Sequence, residues 1–402
     1  MSLVLYTGKG GVGKTTTAAA TAACAAARGS EVLVLSADPA HSLGDVLRIP
    51  LSGEATEVAP RLYALEVDAR AEMERHWGSV RDYLVSLFRH QGIEGVVAEE
   101  LALLPGAEEI ASLLAVEQHA SSGRWDLVVV DCAPTGSTLR LVTLPEVATS
   151  TFRLILRLQR ALASIVAPVA QAVVHMPLPG SAVYRDVERL LYRRLAAIRE
   201  LLTGAEARVR IVVTPERMVI DEALRAHSDL ALFGLPCDAV VMNRLLPEVA
   251  ASEPFFHDWL AIQEERCEEV EELFAPLPLL RAALGEDEVV GVEALAAHGE
   301  ALFAGRAPAE RQCEPVGVRF HPFEDGYRVE IPLPHARADA LDVAKLDDQL
   351  VVRSGSRRRA VPLPRRLARL LLGGARLEDG ILSVTLKQDR ETALDVPAVE
   401  PA

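Results

Sequence analysis

The chain has 402 residues, enough for two or three domains that each bury a core. Its 42 Lys and Arg against 57 Asp and Glu leave a formal charge of −15, which argues against nucleic acid as a general partner, because binding to a phosphate backbone needs a basic face. No basic-plus-apolar leader follows Met1, and the five cysteines (24, 132, 237, 267, 313) contain no Cys-x-x-Cys, so a cytoplasmic protein with reduced thiols is expected.

The opening reads as a βαβ unit: a strand at 3–6, an alanine-rich helix at 15–28 closed by Gly29, and a strand "EVLVLSAD" at 31–38. Between the first strand and the helix lies "TGKGGVGKTTT", with the Walker A spacing Gly8-x-x-x-x-Gly13-Lys14-Thr15. In that reading Gly8, Gly10, Gly11, Val12, Gly13, Lys14, Thr15 and Thr16 wrap the phosphates of ATP. Backbone N–H groups and the helix N-terminus face them, Lys14 reaches the β- and γ-phosphates, and Thr15 reaches Mg2+. The same letters spell Gly8-x-Gly10-x-x-Gly13, a dinucleotide fingerprint with Asp38 as its acid. The Lys14-Thr15 pair, Pro39 directly after Asp38, and a second strand-end acid, Asp131, favour the triphosphate.

Farther along, "WDLVVVD" (125–131), "ARVRIVVT" (207–214) and "CDAVVMN" (237–243) read as buried strands of one mostly parallel sheet. Two insertions expected to be helical, about 54–120 and 141–205, are longer than crossovers require. The second holds the uncharged stretch 161–183, too broken by prolines to span a bilayer. It also holds a helical-period stripe, Leu154, Leu158, Leu162, Ile165 and Val169, open to two readings: buried core or an apolar surface for a client. Residues 253–275 read as an amphipathic helix. A linker is expected at 304–315. It precedes alternating, turn-punctuated strands at 316–388 and a tail at 389–402 expected to be disordered. The fold class is thus α/β, a P-loop NTPase with helical insertions over 1–303, plus a small all-β sandwich.

Taken together, "GKGGVGKTT", "SADPAHSLGD", "DCAPTGSTLR", "VVTPE" and "VVMNRLLPE" resemble the ArsA and guided-entry family of P-loop ATPases over about 1–303. "GYRVEIPLP", "LDVAKLDDQLVVRSGSRRR" and "LEDGILSVTL" resemble the small-heat-shock (α-crystallin) sandwich appended to some bacterial members. The family resemblance implies that Lys9 reaches across a homodimer interface to the partner's nucleotide and that Asp38 orients or deprotonates the attacking water. It also implies that Asp131 holds Mg2+ through water and that Asn243 contacts adenine, with Pro278 near the same base. Asp45 matches a first-switch acid, with a solvated helix-start acid as the alternative, and Pro134-Thr135-Gly136 resembles the second switch. Departures accompany the resemblance. Ser137 stands where arsenite-pump members have His, and "PEVAASEPFFHDWL" lacks the Cys-x-x-Cys that joins eukaryotic dimers through zinc.

The implied function is Mg·ATP hydrolysis coupled to opening and closing of a homodimer that binds hydrophobic protein segments or a membrane-protein partner. An arsenite-stimulated pump ATPase and a MinD- or ParA-like positioning switch are the alternatives. The second would need a membrane-binding tail or a basic face, and "ETALDVPAVEPA" supplies neither.

Overall fold

The computed structural model describes residues 1–38, 40, 42–90, 107–132, 193–355 and 357–388. The second-switch residues 134–137, the stripe from Leu154 to Val169 and the tail 389–402 lie outside them. The chain forms two compact units, Met1–Ala223 with Asp238–Cys313, and Leu224–Cys237 with Glu314–Ala402.

The first unit is built on an eight-stranded sheet whose order places the first strand of the chain near the centre. The strands are β1 (Ser2–Thr7), β2 (Val32–Ser36), β3 (Thr56–Ala59), β4 (Leu62–Glu66), β5 (Leu127–Asp131), β6 (Ala207–Val213), β7 (Cys237–Leu245) and β8 (Leu279–Ala283), in the order β3-β4-β2-β5-β1-β6-β7-β8. β1 runs parallel to β5 and β6, β2 to β4 and β5, and β7 to β8, while β3 is antiparallel to β4. Burial on both faces explains why β1, β2 and β5 are continuous apolar runs instead of alternating ones.

Helix α1 (Lys14–Ala27) is nearly all alanine and threonine because it is enclosed between the sheet and α8 (Val292–Phe303). At Gly299 of α8 a Cβ would lie 2.4 Å from Ala20 O, so only glycine admits this helix approach. The other helices of this unit are α2 (Leu43–Leu47), α3 (Ala69–His90), α4 (Ala107–Ala120), α5 (Leu195–Thr203) and α7 (His257–Phe274), while α6 (Arg217–Phe233) belongs to it only as far as Ala223. Among the described residues no helix is long and apolar enough to cross a membrane.

Two sequence expectations are corrected by the fold. The stretch 54–120 is not all helix: β3 and β4 extend the sheet first, turning through Arg61 at φ 63, with Leu62, Ala64 and Leu65 buried. The stretch 304–315 is not a free linker over its first ten residues. Arg210 on β6, wholly buried, pairs with Asp238 on β7 at 3.2 Å and donates Nη2 to Pro308 O at 3.0 Å and Glu310 O at 3.3 Å. Gln312 N donates to Asp238 Oδ2 at 3.1 Å, and Arg208 donates to Ala309 O. Backbone carbonyls of 308–310 thereby satisfy charged donors that would otherwise be stranded inside the sheet.

In the second unit β9 (Arg319–Phe323), β10 (Gly326–Pro332), β14 (Leu371–Glu378) and β15 (Ile381–Lys387) form one antiparallel sheet in the order β14-β15-β10-β9. β11 (Leu341–Leu346), β12 (Gln349–Ser354) and β13 (Arg357–Pro362) form another. Alternate residues Leu382, Val384 and Leu386 of β15 are buried, as are Val329 and Ile331 of β10, the period-two pattern of a sheet with one packed face.

Candidate nucleotide site

The site forms at the carboxyl edge of the parallel strands, where α1 leaves the loop after β1. Gly13 enters α1 at φ 90, in the left-handed region, and a Cβ there would meet Asn243 Nδ2 at 2.3 Å. Its carbonyl is capped twice, by Thr17 N at 3.0 Å and Thr17 Oγ1 at 2.8 Å. Lys14 is buried and donates Nζ to Lys9 O at 3.3 Å. The Lys9 side chain is half-buried and has no hydrogen-bond or ion-pair partner among the described residues.

Asp131 ends β5 in register with Tyr6 of β1 and Ser36 of β2, which puts its carboxylate at the centre of the edge. Thr15 Oγ1 donates to Asp131 Oδ2 at 2.7 Å and stands 3.1 Å from Ser42 Oγ. Burial pushes the Asp131 carboxyl up to about 6, against the lowering effects of the Thr15 hydroxyl and the Lys14 ammonium. Among the described residues Asp131 Oδ1 is buried with no partner at hydrogen-bond geometry, although the Ser36 hydroxyl lies close enough to lower the same carboxyl slightly. An orphaned carboxylate oxygen beside Thr15 is a hard-oxygen donor set that fits Mg2+ held partly through water. When bound there, the ion would neutralise charge on the β- and γ-phosphate oxygens.

Asp38 is half-buried in the turn after β2, its N–H donating to Ser36 Oγ at 3.3 Å and its Oδ1 accepting from Ala40 N at 3.0 Å. The carboxylate caps its own turn while lying near enough to Asp131 to raise that group's pKa. Asp45 is exposed in the first turn of α2. Asn243, near the end of β7, is buried, donating Nδ2 to Val12 O at 2.8 Å and accepting from Arg244 N at 2.9 Å.

The structure therefore brings Lys9, Lys14, Thr15, Asp38, Asp131 and Asn243 to one edge, and it leaves Pro278 out. Pro278 immediately precedes β8, its carbonyl accepting from Val240 N at 3.0 Å, so it stands toward the amino ends of the strands, away from the loop. The residue that follows β8 at the loop edge is Leu284, whose N–H donates to Leu245 O at 2.7 Å. Ser36 and Ser42 are the site residues that sequence reasoning missed. Their signal was two hydroxyls flanking Asp38 within "SADPAHS".

The family profile of the anion-transporting ATPases matches residues 1–304, and that of the HSP20-like domain found in ArsA matches 324–386. "Putative arsenical pump-driving ATPase 1" of Aquifex aeolicus (strain VF5) is 34% identical over 388 residues, covering 94% of this chain and 98% of that protein. A "Putative arsenical pump-driving ATPase" of Chlorobaculum tepidum is 34% identical over 398 residues, 97% of each chain. "ATPase ARSA2" of Chlamydomonas reinhardtii is 28% identical over 319 residues, 75% of this chain and 84% of that one. With this phosphate loop and these matches, the chain belongs to the anion-transporting ATPase family and is an ATP hydrolase that carries an HSP20-like domain.

Proposed function

We propose that this ATPase works as a homodimer whose closing over Mg·ATP and opening after hydrolysis control the binding of hydrophobic protein segments. The observation that carries the reading is Lys9. It stands in the loop beside Lys14 with no partner among the described residues, so its ammonium can serve a phosphate outside its own subunit. A cation delivered there would stabilise charge developing on the γ-phosphoryl group, as an arginine finger does. Asp38, freed from its own turn, would position the attacking water, and Asp131 with Thr15 would hold Mg2+.

The apolar surface near the same edge supports a partner copy. After β7 the chain runs through two short 3-10 turns into α7, and Val249 (70% exposed), Phe255 (75%) and Trp259 (58%) stand in water. Gln263 of α7 accepts from Leu246 N at 2.6 Å, which fixes the start of that helix beside the end of β7. Exposed aromatic clusters of this kind mark association surfaces on soluble proteins.

The relatives' names favour arsenite as a second reading. Against it, four of the five cysteines are buried on α1, just past β5, on β7 and on α7, and no group of three His, Cys, Asp or Glu among the described residues is arranged to hold a metal. The deciding experiment is hydrolysis measured with arsenite and, separately, with an apolar helical peptide, alongside sedimentation with and without Mg·ATP. Nucleotide-dependent dimers that capture the peptide support the proposal, whereas arsenite stimulation by a monomer refutes it.

A further inference from the structure

We propose that Asn243 is a positioning residue of the phosphate loop, acting through the Val12 carbonyl independently of which base the nucleotide carries. Asn243 is 7% exposed, and both ends of its amide are committed to backbone: Nδ2 to Val12 O at 2.8 Å, Oδ1 to Arg244 N at 2.9 Å. Arg244 itself holds a left-handed backbone at φ 60, so the strand-end conformation and the amide orientation fix one another.

The bond to Val12 acts on the loop through peptide planarity. In a trans peptide the carbonyl and the following N–H point in opposite directions, so tying Val12 O to β7 turns the Gly13 N–H to the other side, away from Asn243. Gly13 N–H is one of the loop donors that the Walker A spacing assigns to phosphate. The contact requires glycine at 13, because a Cβ would lie 2.3 Å from Nδ2. Asn243 and Gly13 are therefore matched parts of one device that presents a loop donor before phosphate binds, lowering the ordering cost of binding.

An adenine contact by the same side chain is a separate claim, since the amide keeps one N–H and one acceptor lone pair. The two roles give different results in one experiment. Binding of ATP, GTP and inorganic tripolyphosphate, each with Mg2+, is measured by calorimetry on the full chain and on Asn243→Ala. Losing one buried hydrogen bond that orders the loop should weaken all three, the base-free tripolyphosphate included, by about tenfold, with any additional loss for ATP alone measuring the separate base contact. Amide exchange across residues 8–15 should quicken in the variant without nucleotide. A loss confined to ATP assigns Asn243 to the base and overturns the proposal, as does unchanged binding of all three. If Asn243→Ala does not fold, Asn243→Leu fills the buried volume without the hydrogen bonds and carries the same expectations. A chain that neither variant folds assigns Asn243 to global stability and equally overturns a role specific to the loop.

Discussion

Thr15 Oγ1 donates a 2.7 Å hydrogen bond to Asp131 Oδ2, tying the first turn of α1 to the end of β5. Because the hydroxyl spends its proton on that carboxylate, its lone pairs are left for Ser42 and for a cation.

Metal dependence should follow the protonation of Asp131. The raised carboxyl, at about 6, must ionise to hold Mg2+, so apparent Mg2+ affinity should climb as pH rises through about 6 and level off above. One pH unit below that value, affinity should fall about tenfold. Asp131→Asn should need about 10- to 100-fold more Mg2+ and lose this pH dependence, which titrations of hydrolysis against Mg2+ at several pH values will show. Without metal the sign reverses for stability: a raised folded-state pKa favours the protonated fold, so this contribution is full below about 4 and lost as pH rises through about 6.

Asp38→Asn should bind Mg·ATP with nearly unchanged affinity while kcat falls by roughly 10²- to 10⁴-fold, the range for loss of a base or water-positioning group. Asparagine retains an oxygen for the Ala40 N–H, now accepted at 3.0 Å, so the turn should persist. Pre-steady-state trapping of bound, unhydrolysed ATP checks it, and a kcat within a factor of a few of wild type would remove Asp38 from catalysis.

Lys9→Ala should abolish turnover yet keep substantial ATP affinity, because Lys14 and the loop backbone remain. Mixing Lys9→Ala with Asp38→Asn chains tests the geometry: if Lys9 acts across the interface, mixed dimers contain one site with both residues intact. Recovered activity on mixing is the expected result. Demonstrated heterodimers without activity would contradict a role in trans.

Asp238→Ala should leave the Arg210 guanidinium buried beside a missing carboxylate, at a cost of about 3–5 kcal/mol. Arg210 and Asp238 are both fully buried, so water cannot substitute freely. Calorimetry should show the melting of the first unit lowered by on the order of 10 °C, with little change in the second.

The phosphate loop was legible because Gly13, Lys14 and Thr15 are adjacent in the chain and their chemistry is local. Asp131 was legible because an acid closing the apolar run "LVVV" sits where a buried parallel strand delivers a side chain to the sheet edge. Pro278 was misplaced for the opposite reason: "PLPLL" does not reveal which end of a short strand it occupies, and β8 itself went unread. β3 and β4 were hidden because a four-residue edge strand and its neighbour carry too little periodicity to be told from the helix that follows. The Asn243 contact with Val12 spans 231 positions and arises only when β7 is laid beside the loop. Arg208 and Arg210, two charges at alternate positions of a buried strand, were the one sign that something polar must cover β6.

What covers it has a practical consequence for dissecting the protein. The family match to the ATPase ends at residue 304, but the carbonyls that receive Arg210 belong to Pro308 and Glu310, and the N–H that Asp238 accepts belongs to Gln312. A catalytic fragment cut at the boundary of the match would expose a charged gap in its own sheet and should misbehave in expression. One cut after Cys313 keeps its seal. The first unit accordingly runs on to Cys313, just past the last backbone groups that its buried charges engage.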